Sequence, residues 1–282
     1  MDAVLLFSGQ GAQKVGMGKD LYDQYPVAKA LIEQADKALG ESLSAVMFEG
    51  PGEELTRTCN CQPALYVHGL ACLAVLKELV PSLNPVAAAG LSLGEFTAHA
   101  AAGTYSFEEG LRLVQKRGAF MEEACNATKG TMAAMIGGTD ENVIKLAQEC
   151  DVDVANFNCP GQTVVSGTEE GVAKAVAGAK AAGCKIAKKL NVAGAYHSRL
   201  MHSAMVKLAE ELKNISFGTP SMPVYCNYEA RVVEGPDDIR SMLEHQVCGS
   251  VRWTASMQKL VDQGHRLLSE LGPGQQLAGL MP

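Results

Sequence analysis

The stretch Gly90-Leu91-Ser92-Leu93-Gly94 lies between an apolar run at 85–89 and a run of small residues at 95–102. The first run predicts a short buried strand, and the second predicts a helix with an alanine-rich face. A strand, a Gly-x-Ser-x-Gly turn and a helix, in this order, are typical of a nucleophile elbow. The flanking glycines let the backbone close around such a turn, because they have no Cβ atom. Ser92 is therefore a candidate nucleophile in an α/β protein.

The same pattern also fits a tight turn whose serine only caps the following helix. In the elbow interpretation, the serine stands at a helix N-terminus, where free N–H groups and the helix dipole favour negative charge. An oxyanion develops at this position during acyl transfer, so the local physics suits catalysis as well as capping.

The composition is that of an ordinary globular enzyme. The chain has 282 residues, of which 47% are apolar and 20% are charged, and its net charge is −7. That charge argues against a nucleic-acid groove. We expect no membrane span, since no run of about 18 apolar residues is evident, and no signal peptide, since residues 1–7 lack a basic region. Nine scattered cysteines favour reduced thiols and a cytoplasmic location.

Patterns along the rest of the chain predict an α/β core with a small insert, and residues 20–39 have the pattern of a helix. The glycine-rich loop at 8–13, after a first strand at 3–7, fits neither a dinucleotide-binding nor a P-loop spacing. The order strand, helix, strand, strand, helix, strand across 131–190 is that of a ferredoxin-like unit. We expect residues 1–127 and 194–282 to form a hydrolase-like parallel-sheet core, and residues 128–193 to form an inserted ferredoxin-like (βαββαβ) subdomain. The turn between the two middle strands of this unit is expected at 156–162.

Arg117 lies on the apolar stripe of a predicted helix, four residues after Leu113 and three before Phe120. A capping box at Ser106-Phe107-Glu108-Glu109 opens this helix. An inward-facing guanidinium must find an anion, because an unpaired buried charge is very costly. A structural ion pair, a side chain that reaches solvent, and a clamp for a substrate carboxylate all remain open.

His197 is the best candidate for the base that a serine nucleophile needs. It lies on a glycine-containing loop just before a predicted helix, whereas His68 and His99 lie in apolar helices and are expected to be packed residues. His265, in a polar turn, is the alternative base. Because the sequence has no His-Glu-x-x-His motif and no Cys/His cluster, no metal is expected.

Six ordered motifs give the chain a resemblance to a known family. They are Phe7-Ser8-Gly9-Gln10-Gly11, Gly90-Leu91-Ser92-Leu93-Gly94-Glu95, Arg117-Gly118, Asn156-Phe157-Asn158-Cys159-Pro160-Gly161-Gln162, Tyr196-His197-Ser198 and Gly272-Pro273-Gly274. Together they resemble the malonyl-CoA:acyl-carrier-protein transacylases from Ala3 to about Leu280, which is essentially the whole chain.

The resemblance implies a role for each matched residue. Ser92 would carry the malonyl ester and His197 would act as the general base. The backbone N–H groups of Gln10 and Leu93 would form the oxyanion hole, and Arg117 would hold the malonyl carboxylate.

Further site residues follow from the same resemblance. The carbonyl of Gln246 would orient the histidine in place of the usual Asp. Asn156 and Tyr196 are candidate substrate-binding residues, and an aromatic residue at the position of Tyr196 resembles the malonyl signature. The chain departs from the family at Leu91, where relatives usually have His, and it ends soon after Gly274, where relatives usually continue.

The implied reaction is ping-pong transfer of malonyl from malonyl-CoA to the phosphopantetheine thiol of acyl carrier protein, for fatty-acid synthesis. It needs no cofactor beyond the acyl donor, and it involves neither nucleic acid nor membrane. The alternatives are a polyketide acyltransferase of the same fold, a serine hydrolase or thioesterase, and a non-catalytic domain that binds the carrier protein.

Overall fold

In the computed structural model, which describes residues 1–281, the strands form two separate sheets. The strands are β1 (Asp2–Phe7), β2 (Asn84–Gly90), β3 (Gly130–Ile136), β4 (Asp153–Cys159), β5 (Gln162–Thr168), β6 (Ile186–Lys189), β7 (Val224–Tyr225) and β8 (Leu268–Leu271). Pro282, the last residue of the predicted core segment 194–282, lies outside the described residues.

The first sheet is parallel and has the order β7-β2-β1-β8. The five residues of β1 from Ala3 to Phe7 are all buried, as expected for a strand covered on both faces. Phe7 pairs with Gly90, so β1 and β2 end side by side. The loops that follow these two strands therefore start next to each other, at the carboxyl edge where open α/β sheets bind ligands.

Helices pack against both sheets. They are α1 (Lys19–Gln24), α2 (Pro26–Leu39), α3 (Leu43–Glu49), α4 (Gly52–Thr56), α5 (Thr58–Leu79), α6 (Leu93–Ala101), α7 (Phe107–Ala127), α8 (Asp140–Glu149), α9 (Glu169–Gly178), α10 (His202–Lys213), α11 (Pro236–His245) and α12 (Trp253–Asp262). Contrary to the sequence expectation, α5 is long and apolar enough to cross a membrane by length and composition. However, 72% of its apolar window is buried inside the fold, as in the core helix of a globular protein.

The second sheet is antiparallel and has the order β4-β5-β3-β6. Its chain order, β3-α8-β4-β5-α9-β6, is the βαββαβ order predicted from the sequence, and side chains of α8 and α9 pack with it in an apolar cluster of their own. The prediction of an α/β fold with a ferredoxin-like unit is confirmed.

Two local predictions were wrong. The helix predicted at 20–39 is broken between α1 and α2 at Tyr25, which is extended because the following Pro26 disfavours helical backbone at the preceding residue. The turn predicted at 156–162 is confined to Pro160 and Gly161. Residues 156–159 belong to β4, because pairing with β5 outweighs the turn preference of the asparagines.

Candidate active site

Ser92 occupies the sharp turn between β2 and α6, as the elbow pattern predicts. Its backbone angles, φ 54° and ψ −104°, are rarely adopted by a residue with a side chain. The two glycines are required by close approach: a Cβ atom on Gly90 would lie 2.0 Å from the Gly94 backbone, and one on Gly94 would lie 2.1 Å from the Phe7 carbonyl oxygen. The turn therefore holds the Ser92 hydroxyl at the carboxyl edge of the sheet.

His197 is the residue that the structure pairs with Ser92. Its Nε2 atom lies 2.7 Å from Ser92 Oγ, and its Nδ1 atom lies 2.8 Å from the main-chain oxygen of Gln246. Because a carbonyl oxygen can only accept, Nδ1 carries the proton and Nε2 is free to accept from the serine hydroxyl. Burial, together with the positive charge of Arg117, lowers the pKa of His197 to about 4, so the ring is a neutral base at pH 7.

Arg117 reaches the same hydroxyl from α7. The side chain is 1% exposed, which excludes the alternative that it reaches solvent. Its Nη2 atom donates to Ser92 Oγ at 3.1 Å and to Gln246 Oε1 at 2.8 Å, while Nη1 donates to Gln62 Oε1 at 2.7 Å. No carboxylate of residues 1–281 pairs directly with the guanidinium, and Nε has no acceptor there. A buried cation without a direct counter-ion is suited to a ligand carboxylate.

Gln10 and Leu93 bring two backbone N–H groups to the nucleophile turn. Leu93 is the first residue of α6, and a Cβ atom on Gly9 would lie 2.4 Å from the Leu91 carbonyl, so the loop after β1 lies against the elbow. Within residues 1–281 neither N–H group donates to an acceptor. An oxyanion hole needs free N–H donors near the nucleophile, and this role stays a prediction for Gln10 and Leu93.

Tyr196 and Asn156 occupy different parts of the site's surroundings. The hydroxyl of Tyr196 lies 2.7 Å from Thr58 Oγ1 and accepts a weak hydrogen bond from Gln10 Nε2 at 3.4 Å, so this ring contacts the loop after β1. Asn156 is buried in β4, where its backbone pairs with Val251. A substrate-binding role for Asn156 stays a prediction.

Sequence reasoning missed three polar residues that hold the site together. Gln62 binds Arg117; Asn227 Oδ1 accepts from the Ser92 N–H at 2.6 Å; and Glu95 Oε2 accepts from Gln246 Nε2 at 2.7 Å. A signal existed for each of them: Gln62 is polar within an apolar helix, Asn227 follows a parallel strand, and Glu95 belongs to the elbow motif. None of these signals indicates a contact partner.

The remaining histidines lie elsewhere. His68 and His99 are buried in α5 and α6, as expected. The ring of His265, the alternative base, has no hydrogen bond to Ser92, whose hydroxyl is paired with His197. Among residues 1–281, no cluster of three or more His, Cys, Asp or Glu side chains could hold a metal ion.

Comparison with known proteins places this geometry in a family. The model of the acyl transferase domain matches residues 4–279. The chain is 43% identical over 281 residues to the malonyl CoA-acyl carrier protein transacylase of Bacillus subtilis, covering 98% of this chain and 88% of the relative.

Solved structures agree with the sequence comparison. An acyl carrier protein S-malonyltransferase from Vibrio cholerae has a TM-score of 0.94 and 38% identity, covering 98% of this chain and 92% of the other. A malonyl-transacylase in complex with its holo type II polyketide acyl carrier protein has a TM-score of 0.95 and 38% identity, covering 99% and 92%. The chain therefore belongs to the acyl transferase domain family and, within it, to the malonyl CoA-acyl carrier protein transacylases.

Proposed function

We propose that this enzyme transfers the malonyl group of malonyl-CoA to the phosphopantetheine thiol of an acyl carrier protein through a malonyl-serine intermediate. One observation carries the proposal: Ser92 Oγ lies 2.7 Å from the neutral base His197 and 3.1 Å from the buried cation Arg117. The site thus contains a nucleophile, its base and a cation that can bind a carboxylate. This combination suits an acyl group that ends in a free carboxylate.

The first half-reaction acylates the serine. As Ser92 Oγ attacks the thioester carbon, its proton passes to His197 Nε2, and the oxyanion takes hydrogen bonds from the N–H groups of Gln10 and Leu93. The carbonyl of Gln246 accepts from Nδ1 and stabilises the imidazolium, as a carboxylate does in a triad. When the tetrahedral intermediate collapses, the C–S bond breaks and the CoA sulfur takes the proton from His197.

The second half-reaction runs the same steps in reverse with another thiol. The carrier thiol gives its proton to His197 and attacks the malonyl ester, and Ser92 Oγ leaves with that proton. Arg117 holds the malonyl carboxylate through both half-reactions, so the acyl group keeps its orientation while the two thiols exchange. The protein's own residues supply all these proton transfers, and no cofactor takes part.

We place the enzyme in the cytoplasm, as a supplier of malonyl extender units for fatty-acid synthesis. A polyketide pathway is the second candidate, because one structural relative is a malonyl-transacylase bound to a type II polyketide carrier protein. Transfer rates to fatty-acid and polyketide carrier proteins, compared at equal concentration, distinguish the two pathways.

The proposed reaction is tested by mixing the enzyme with malonyl-CoA, with and without a holo acyl carrier protein. We expect malonyl-carrier to accumulate only in the complete mixture, with little free malonate. Rapid release of free malonate without a carrier would instead identify a hydrolase, and no reaction in either mixture would identify a non-catalytic binding domain.

A further inference from the structure

The charge of Arg117 is balanced indirectly. Both of its amide-oxygen partners, Gln62 and Gln246, are neutral. One of them leads to a carboxylate: Gln246 Oε1 accepts from Arg117 at 2.8 Å, and Gln246 Nε2 donates to Glu95 Oε2 at 2.7 Å. A single amide therefore joins the cation of the site to a fully buried acid on α6.

Gln246 contacts Arg117, the nucleophile turn and the base. Its Nε2 atom also donates to the Ser92 carbonyl at 2.9 Å, and its own carbonyl orients His197. A rotation of this side chain would change the contacts of the nucleophile turn and of the arginine together. The orientation of the Gln246 side-chain amide is therefore set by its two hydrogen-bond partners. Glu95 accepts from Nε2, and Arg117 donates to Oε1.

Glu95 also holds Asn227, a second residue that contacts the elbow. Its Oε2 atom accepts from the backbone N–H of Asn227 at 2.9 Å. The Asn227 side chain in turn donates to the Gly90 carbonyl at 2.7 Å and accepts from the Ser92 N–H. Glu95 Oε2 is thus linked through Gln246 and Asn227 to backbone groups of Gly90 and Ser92, on both sides of the elbow turn.

We propose that Glu95 is a positioning residue for malonyl transfer: by holding Gln246 and Asn227, it aligns the nucleophile turn, the base and Arg117, and it supplies the negative charge that balances the arginine. The side chain need not contact the substrate. The inference rests on the proposed function, since it assigns a role within that reaction.

The surroundings of Glu95 make this role sensitive to its ionisation. Its Oε1 atom is buried without a partner, and burial raises the pKa of Glu95 to about 7, although Gln246, Asn227 and Arg117 oppose the rise. The titratable groups that face it are Arg117 from α7, Tyr105 before α7 and Cys226 after β7.

None of the groups around Glu95 titrates near neutrality. Burial lowers the pKa of His99, one turn along α6, to about 3, and that of the base His197 is about 4. Burial raises the pKa of Tyr105 and Cys226, and Arg117 stays protonated with a pKa of about 10. An ionisation near pH 7 in the acylation rate that disappears when Glu95 is replaced by Gln therefore reports on Glu95, with the deprotonated form the more active because it accepts hydrogen bonds best.

The test compares Glu95→Gln with the wild type and with His99→Gln. Gln has nearly the same volume as Glu and can still accept with its oxygen, but it has no charge. His99 is a matched control, because it is fully buried on the same helix and bonds to Thr104 rather than to the site. The readout is the rate of malonyl-serine formation at saturating malonyl-CoA between pH 5.5 and 8.5, followed by intact mass.

We expect the wild-type and His99→Gln rates to rise through pH 7. The Glu95→Gln rate should be roughly 10–100-fold lower at pH 8, as expected when a charge-assisted hydrogen bond is lost, and should lack this rise. Glu95→Asp, which restores the charge on a shorter side chain, should recover a pH-dependent rise, at a shifted pH and an intermediate rate.

The inference is overturned if Glu95→Gln acylates as fast as His99→Gln with the same pH profile. Should Glu95→Gln fail to fold, the profile of Glu95→Asp decides: a shifted rise supports the role of Glu95, and a profile identical to wild type contradicts it. If the wild type forms no malonyl-serine at all, the proposed function has failed instead, so the two failures are distinguishable.

Discussion

At the scale of single residues, the Ser92 hydroxyl contacts both a histidine and an arginine. Its hydroxyl donates to a neutral imidazole and accepts from a buried guanidinium, so the proposed base and the proposed carboxylate-binding cation meet at one atom. Acyl choice should consequently depend on the arginine more than on the shape of the pocket.

Replacing Arg117 by Ala should weaken malonyl transfer by about 3 kcal/mol or more, because the malonyl carboxylate would be buried without a partner. Acetyl-CoA, which has no carboxylate, should lose much less. The measurement is kcat/KM for malonyl-, methylmalonyl- and acetyl-CoA. Arg112→Ala is the matched control, since this exposed arginine of the same helix pairs with Glu108. An Arg117→Ala enzyme that kept its preference for malonyl over acetyl would return Arg117 to a structural role.

The sequence did not predict the contacts between individual site residues that are far apart in the chain. The motifs identify Ser92, His197 and Arg117 because each has a chemistry that needs a particular neighbour. Glu95 and Gln246 are 151 positions apart, and Asn227 and Ser92 are 135 positions apart, so no local pattern indicates that they bond. Pairing of this kind is fixed only when β2, β7 and α11 come together in the fold.

At the scale of elements, the elbow depends on how closely α6 approaches β1. The Gly94 position leaves no room for a methyl group, because its Cβ atom would lie 2.1 Å from the Phe7 carbonyl. This contact explains why the turn needs a glycine inside a helix, where glycine is otherwise unfavourable by about 1 kcal/mol relative to Ala.

Alanine is a better helix former than glycine, but Gly94→Ala should nevertheless destabilise the protein. We expect a loss of about 1–3 kcal/mol in the free energy of unfolding, from overpacking, and an acylation rate lower by about 100-fold from misplacement of Ser92. Gly279→Ala is the control, because a Cβ atom there meets nothing within 4 Å. Denaturant unfolding and the acylation rate check both effects; a stabilised, fully active Gly94→Ala enzyme would contradict the close approach.

Element boundaries show which sequence signals were sufficient. The capping box at Ser106 is present as predicted, because both of its hydrogen bonds lie within one helical turn. The break at Tyr25 was missed although Pro26 indicates it, and the length of β4 was missed because sheet pairing decides it. Local chemistry was thus predictable, whereas the extent of a strand depended on its partner.

At the scale of the whole molecule, three buried histidines link stability to pH. Burial lowers the pKa of His68 and His197 to about 4 and that of His99 to about 3, against 6.5 for a free side chain. As pH falls from 6.5 towards 4, the unfolded chain takes up protons that the fold does not, so stability decreases. Glu95 acts in the opposite direction between pH 4.5 and 7, since its pKa is raised in the fold.

We expect the free energy of unfolding to fall between pH 7 and pH 5, because three groups outweigh one. Each histidine contributes at most about 1.4 kcal/mol per pH unit. Urea denaturation at several pH values measures the slope, and His99→Gln should make it shallower by removing one of the three groups. A slope that is unchanged in this variant would show that His99 is not held neutral by the fold.

The central claim is that Ser92 carries the malonyl group with His197 as its base, and the intact mass of the protein after mixing with malonyl-CoA tests it most directly. The account predicts one malonyl adduct on Ser92 that a holo carrier protein removes, no adduct on Ser92→Ala, and acylation roughly 10²–10⁴-fold slower in His197→Ala. An adduct that persists in Ser92→Ala, or a His265→Ala variant that is crippled while His197→Ala is nearly normal, would contradict it.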